Sequence, residues 1–311
     1  MHATRPTIVR RKVDIDFDPV PPGPWFPAGG PLETMFNAAS LSFPPTERFF
    51  IAAVRAYEDK VTDPLLREQM RGFIHQEAMH NKVHLACNAM LARDNPNCRR
   101  AERVTVATFG VLGRMPRAFR LSLSSALEHF TSMAADTLLH YPEEFSSIVP
   151  AEVAQMWLWH AAEETEHKAV CFDVHRAVLG SGPLAYLNRL FGMLFATPLF
   201  LFVLLAITAA VLGNGRRGKP AEQTAAAAEI SPVESSPAES PAVDPAEKSD
   251  AERFVGRGVL GLLYELVPWR LYFSYYRPSF HPWDHDNSGF VEAWKQRYPG
   301  FGLDAASAGL E

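Results

Sequence analysis

Two segments of the chain place a glutamate three residues ahead of a histidine: Glu77-Ala78-Met79-His80 and Glu164-Thr165-Glu166-His167. Positions three apart share one face of an α-helix, so each pair can direct a carboxylate and an imidazole at a single ion. One such pair alone is ordinary on a solvated helix. Here two further glutamates stand in apolar company on other helical stretches, Glu47 ahead of Phe49, Phe50 and Ile51, and Glu128 behind Leu121, Leu123 and Leu127. One Glu from each of two helices, with Glu-x-x-His from each of the other two, is the ligand set of di-iron and di-manganese carboxylate bundles. His160 lies on the same helical stripe as Glu164 and His167, either as a third imidazole ligand or as a histidine held by a hydrogen bond. Glu163 is the alternative to Glu164, and the stripe with His160 favours Glu164. The expected metal ligands are therefore Glu47, Glu77, His80, Glu128, His160, Glu164 and His167. Mixed carboxylate and imidazole donors without a cysteine pattern suit two iron ions, with manganese or a mixed Mn/Fe pair as alternatives.

Such residues must be brought to one level by long helices. The pattern predicts four, at about 44 to 61, 64 to 92, 116 to 140 and 150 to 178, with Ser42 as a cap and Pro44 and Pro45 in a first turn. Breaks fall at Asp63-Pro64, near Asn95-Pro96 and from Tyr141-Pro142 to Pro150. With the first turn near Thr62, Glu47 lies 15 residues before it and Glu77 15 after. In an antiparallel pair both sit about 22 Å from the turn. With the second turn near residue 145, Glu128 is 17 residues before and Glu164 is 19 after. All four carboxylates then meet in one layer, where like charges in a low-dielectric core repel unless cations lie between them. The connection over about 93 to 115 is long enough to cross the bundle, as a ferritin-like topology requires; an up-down-up-down order is the alternative.

Around this bundle, taken as residues 42 to 180, the rest of the chain divides by composition. Residues 1 to 41 read as an arm, with Val13, Ile15 and Phe17 alternating with Asp14, Asp16 and Asp18 as in an edge strand, followed by a Pro and Gly run. Residues 184 to 213 form an apolar helix whose stretch Leu190 to Leu212 is 23 residues without a charge. That is long enough to cross a bilayer, and a buried fifth helix is the alternative. Basic residues on both flanks, Arg189 on one side and Arg216, Arg217 and Lys219 on the other, leave its orientation open. Residues 214 to 251 are an acidic Ala, Pro and Ser linker too poor in large apolar groups to form a core. Residues 252 to 311 resume an aromatic character, with Phe254 to Tyr276 interfacial or docked.

The remaining polar side chains near these motifs have plainer readings. His75 and His84 point away from the Glu77 and His80 face, toward the surface or as outer partners of the site. Glu58 reads as an exposed helix-end charge, His129 faces another way than Glu128, and Cys171 reads as a small core residue. His281, Asp284, His285 and Asp286 read as a docking loop anchored by Trp283, with a second metal or gating site as the alternative.

A net charge of -5 and a pI near 6.1 supply no basic field for nucleic acid. Three cysteines without C-x-x-C spacing fit a reducing compartment, and no apolar run of signal-peptide length follows Arg10, Arg11 and Lys12. A cytoplasmic catalytic domain associated with the cytoplasmic membrane through Leu190 to Leu212 is the expectation.

The runs Phe43-Pro44-Pro45-Thr46-Glu47-Arg48-Phe49-Phe50, Gln76-Glu77-Ala78-Met79-His80, His160 to Asp173 and Phe280-His281-Pro282-Trp283 resemble a bacterial family labelled predicted metal-dependent hydrolase. The order and spacing of the seven ligand candidates are also similar to those of the di-iron arylamine N-oxygenases. That second resemblance implies dioxygen activation and oxidation of an organic substrate, small or lipid-like, fed by an electron donor or reductase. Hydrolysis of an ester, amide or phosphoester at two ions is the alternative, and a non-catalytic, membrane-associated metal-binding protein is a third.

Overall fold

The computed structural model describes residues 7–26, 30–212 and 268–303; the acidic linker and the stretch from Phe254 up to residue 267 lie outside the described residues. The described chain is all-α, with no β-strand among the described residues. Helices α1 (Pro31–Arg55) and α2 (Pro64–Asp94) form one antiparallel pair, and α4 (Arg117–Leu139) and α6 (Ala151–His167) form the second. The two pairs close on each other through α1 with α4 and α2 with α6. Asp63 caps α2, its side chain accepting from the amides of Leu65 and Leu66, and Pro64 opens the helix where no amide is needed.

The first helix begins at Pro31, well before the expected residue 44, so residues 31 to 41 belong to the bundle and not to the arm, and Ser42 caps nothing. Pro44 and Pro45 lie inside the helix. A proline there withdraws an amide from the carbonyl four residues earlier, which ordinarily breaks the ladder. Here the freed carbonyl of Ser40 accepts from Asn88 Nδ2 at 3.1 Å, and Pro44 O accepts from Asn81 Nδ2. Asn88 of α2 thus replaces one lost helical bond, and the two asparagines together staple α2 to α1.

Two further departures matter for the site. The connection at 93 to 115 contains a helix, α3 (Cys98–Leu112), which lies against α1 and the apolar helix. The expected single helix from 150 to 178 is interrupted after His167, and α7 (Val170–Leu179) follows, while the short α5 (Pro142–Ile148) fills the expected break before α6. At the interruption Lys168 turns inward: its Nζ donates to His285 O at 2.7 Å and Asn287 Oδ1 at 2.6 Å, and sits 3.9 Å from the Trp283 ring. The loop at 280 to 287 is therefore the docking loop expected, with His281 Nε2 3.1 Å from Asp173 Oδ1 and His285 Nε2 2.9 Å from Asp136 Oδ1. It lies between α9 (Trp269–Ser274) and α10 (Ser288–Arg297).

The apolar helix, α8 (Pro183–Leu212), is long and apolar enough to cross a membrane. It runs along the bundle, with Met193, Ala196, Leu199, Val203 and Ile207 buried against it. Its approach to α4 is close: a Cβ at Gly192 would stand 2.6 Å from Ser122 O. The opposite face exposes Phe191, Leu194, Phe202 and Leu205, so the helix is neither a fully buried core helix nor free of the bundle.

The N-terminal arm is extended, and Val13, Ile15 and Phe17 are buried as the alternation requires. It forms no sheet. It is tied by side chains, with His75 Nε2 2.9 Å from Arg11 O and Gln76 Nε2 donating to Val9 O, and by a backbone bond from Lys12 N to Gly302 O.

Candidate metal centre

All seven expected ligands are buried inside the bundle. Donor atoms of Glu77, His80, Glu164 and His167 lie within 4.8 Å of one another, and so do those of Glu47, His84 and His160. Glu164 stands between the groups: its Oε1 is 3.2 Å from His160 Nε2, 3.5 Å from His167 Nε2 and 3.7 Å from His80 Nδ1. Its other oxygen accepts from the Thr131 hydroxyl. Glu128 belongs to neither tight group, yet its charge acts directly on Glu77 and His167.

Hydrogen bonds outside this layer fix which imidazole nitrogen faces inward. Asn88 Nδ2 is committed to Ser40 O, so Asn88 Oδ1 accepts from the Ser40 hydroxyl at 2.8 Å. Having given its proton, Ser40 Oγ accepts from His84 Nδ1–H at 2.9 Å, which leaves His84 Nε2 to accept from His160 Nδ1–H, also at 2.9 Å. The lone pair of His160 Nε2 is then directed at the centre. Both nitrogens of His84 are used in this chain, so it orients His160. It is buried, so of its two expected places the surface one does not hold.

His80 is oriented on the other side. Its Nε2–H donates to Glu163 Oε2 at 3.0 Å, leaving Nδ1 to face Glu164. Glu163 is in turn held by Arg11 Nη1 at 2.9 Å, and Arg11 also grips Glu166 at 2.8 and 3.0 Å. Glu163 is thus the outer partner of His80, which is why Glu164 occupies the inward position. Outer partners of this type fix tautomer and ring angle in metal sites. Arg11 is the participant that helix spacing missed, although its alternation in phase with Val13 and Ile15 marks it as facing inward.

The donor set fits metal ions on a physical test. Both carboxylate oxygens of Glu47, Glu77 and Glu128, His80 Nδ1, His160 Nε2 and both nitrogens of His167 are buried without a hydrogen-bond partner. Buried polar atoms are almost always paired, so this many orphans converging on one chamber fit a site that holds metal ions.

The electrostatics agree. Burial, then the neighbouring Glu164, pushes Glu47 well above the usual carboxylate range, and burial followed by Glu128 does the same to Glu77. Burial, then Glu164, lifts Glu128 to about 8. Burial alone would raise Glu164, but His167 and His160 beside it hold it well below its ordinary value. Burial alone would lower His167, but Glu164 and Glu128 raise it to about 9. Between pH 7 and 9 a group whose folded pKa is raised takes up protons in the folded state that the unfolded chain has released, so stability falls as pH rises. Glu47, Glu77, Glu128 and His167 all act in that direction, while His80 and His84, lowered first by burial, are neutral in both states. The metal-free protein is expected to melt at a lower temperature at pH 9 than at pH 7. Manganous ion should raise its melting temperature by more at pH 8 than at pH 6, because protons compete for the same oxygens. Differential scanning calorimetry across that range checks both; a gain independent of pH would contradict the assignment.

A family model described as predicted metal-dependent hydrolase matches residues 9–286. The chain belongs to this family. The matched span takes in Arg11, all seven ligand candidates, the outer partners Glu163 and His84, and the docking loop through Asp286. No curated protein and no solved structure matches the chain. The metal dependence in the family's description agrees with the buried Glu and His groups.

Proposed function

We propose that this member of the predicted metal-dependent hydrolase family is a dinuclear non-haem iron oxidase or oxygenase, with Glu47, Glu77, His80, Glu128, His160, Glu164 and His167 as ligands and Glu164 shared between the ions. The observation that carries it is the set of orphaned donor atoms in a closed layer of four carboxylates and three imidazoles. Two divalent ions bring four positive charges to four carboxylates, and iron or manganese suits such donors. The bound pair would supply activation of dioxygen for oxidation of an organic substrate. Insertion of one oxygen atom with release of the other as water takes two electrons and two protons, so a reductase partner is part of the proposal.

The protein's own residues orient and seclude. The chain from Asn88 through Ser40 and His84 sets His160, the chain from Arg11 through Glu163 sets His80, and Thr131 holds the second oxygen of Glu164 beside a cavity of about 370 Å³. That cavity has no Asp, Glu, Lys or Arg in its wall. A dry, apolar approach suits oxidation of a hydrocarbon group and offers little to orient a polar ester or amide. Hydrolysis remains the second reading because the family's description favours it. Anaerobic loading with ferrous ion, followed by admission of oxygen, separates the two. Oxygen uptake in proportion to bound iron is expected. No uptake, together with cleavage of an acyl ester by the same preparation, would overturn the oxidative reading.

A further inference from the structure

The cavity beside Glu164 is walled by α1, α4, α6, α8 and α9. At its inner end stand His160, Thr131 and Trp157; at its outer end stand Phe200 and Leu201 of α8, 45% and 52% exposed, and Trp269 of α9, 47% exposed. The same side chains therefore line the cavity and belong to the protein's exposed apolar face. From there the face continues along α8 through Leu194, Phe202 and Leu205, and across α9 through Phe273, 61% exposed and stacked on Trp269. Thr197 Oγ1 lies 3.0 Å from the Tyr272 hydroxyl, joining α8 to α9 beside the opening.

We propose that this cavity takes the hydrocarbon chain of a lipid, entering between α8 and α9 from a bilayer on which their exposed faces lie. The inference rests on the dinuclear oxidative reading for its chemistry, but not for its binding. A wall without charged groups cannot solvate a carboxylate or a phosphate, so a headgroup stays outside and the chain leads toward His160 and Glu164. The volume falls within the range of small-ligand sites. A bilayer is the occupant of the outer face because α8 carries no charge from Leu190 to Leu212 and α9 presents Trp269 and Phe273 next to the exposed Arg270, the arrangement of an interfacial helix with a basic partner for headgroups.

The test uses the full chain, loaded with ferrous ion under anaerobic conditions, and phosphatidylcholine vesicles containing a phosphatidylcholine with a photoreactive diazirine near the end of one acyl chain. Illumination and peptide mapping should place adducts on inner cavity residues such as Thr131 and Trp157. Ala134 lines the cavity yet is exposed, so Ala134→Trp narrows the passage without adding bulk to the core. It should lower the inner adducts by about tenfold or more while vesicle co-sedimentation is unchanged. Leu205→Glu, on the outer face and outside the cavity wall, should reduce co-sedimentation and adducts together. A parallel arm offers the diazirine fatty acid without vesicles. Labelling by the free acid alone would overturn entry from a bilayer, and adducts confined to the outer face of α8, or unaltered in Ala134→Trp, would overturn the cavity assignment. Iron content is measured on every sample. Inner labelling without bound iron would leave the lipid site standing and remove the oxidative reading, whereas bound iron without inner labelling would do the reverse.

Discussion

Glu77→Ala and Glu164→Ala, each loaded with iron in parallel with the unaltered chain, are expected to purify with far less than one ion per site and to show no oxygen uptake above background. Outer partners of metal ligands already account for about 10- to 100-fold in affinity, and a carboxylate that touches the ion should exceed that. Glu164 carries the larger share, since its Oε1 approaches three imidazole nitrogens within 3.7 Å. Glu58→Ala, at an exposed position in the turn after α1, serves as a control that keeps its iron. A second readout does not depend on turnover. Glu77 is surrounded by Glu128, Glu164 and Glu47, so Glu77→Gln relieves repulsion and should raise the melting temperature of the metal-free protein at pH 8. The same variant should gain little from added metal. Stoichiometric iron retained in both alanine variants would sink the ligand assignment.

The second large effect concerns Arg11. Replacing it with methionine leaves Glu163 buried without its cation and Glu166 with only the more distant Lys295 at 3.9 Å, and breaking a buried pair from one side typically costs about 3–5 kcal/mol. Burial already raises Glu163 above the ordinary carboxylate value despite Arg11. Without Arg11 the Glu163 carboxylate should rise further, so the stability lost at pH 8 should be partly recovered as pH falls toward 5, the sign expected of a raised folded pKa. Urea denaturation of Arg11→Met at the two pH values, with Arg11→Met/Glu166→Gln as partial rescue, tests this. The change should reach the centre through Glu163, which holds His80 Nε2, so iron affinity should fall in Arg11→Met although Arg11 touches no ion. Undiminished stability would show that the arm is not fastened as described.

These expectations divide along a line that local pattern draws. The repeated Glu-x-x-His, the apolar settings of Glu47 and Glu128, and the equal depths about the turns depend on helix periodicity, and the structure buries all seven residues inside the bundle. Pro44 and Pro45 mislead a local reading because they signal a helix start unless another segment takes over the stranded carbonyls. Asn88 does so from α2 for the carbonyl of Ser40, and nothing local to the prolines announces it. The orientation of His80 depends on a contact between residues 152 positions apart in sequence, Arg11 and Glu163, which periodicity on α6 cannot reveal. The break after His167 has the same origin, since Lys168 leaves the helical path to meet the loop at 285 to 287. The capacity of α8 to cross a membrane is legible only as length and apolarity; which face of α8 lies on the bundle is decided by close approaches such as Gly192 to Ser122.

The buried grip of Arg11 also imposes an order on biosynthesis. The arm leaves the ribosome first, yet its anchors at Glu163 and Glu166 are translated 152 and 155 residues later. At about 5–20 residues per second, that interval is about 8–30 seconds. The amino-terminal segment must therefore wait unattached while α1, α2 and α4 emerge, and it can latch over the flank of α2 only after α6 exists. Until then Glu77 and His80 are sealed by neither arm nor partner helix, which gives a newly made chain an interval in which to acquire its ions before the last strap closes.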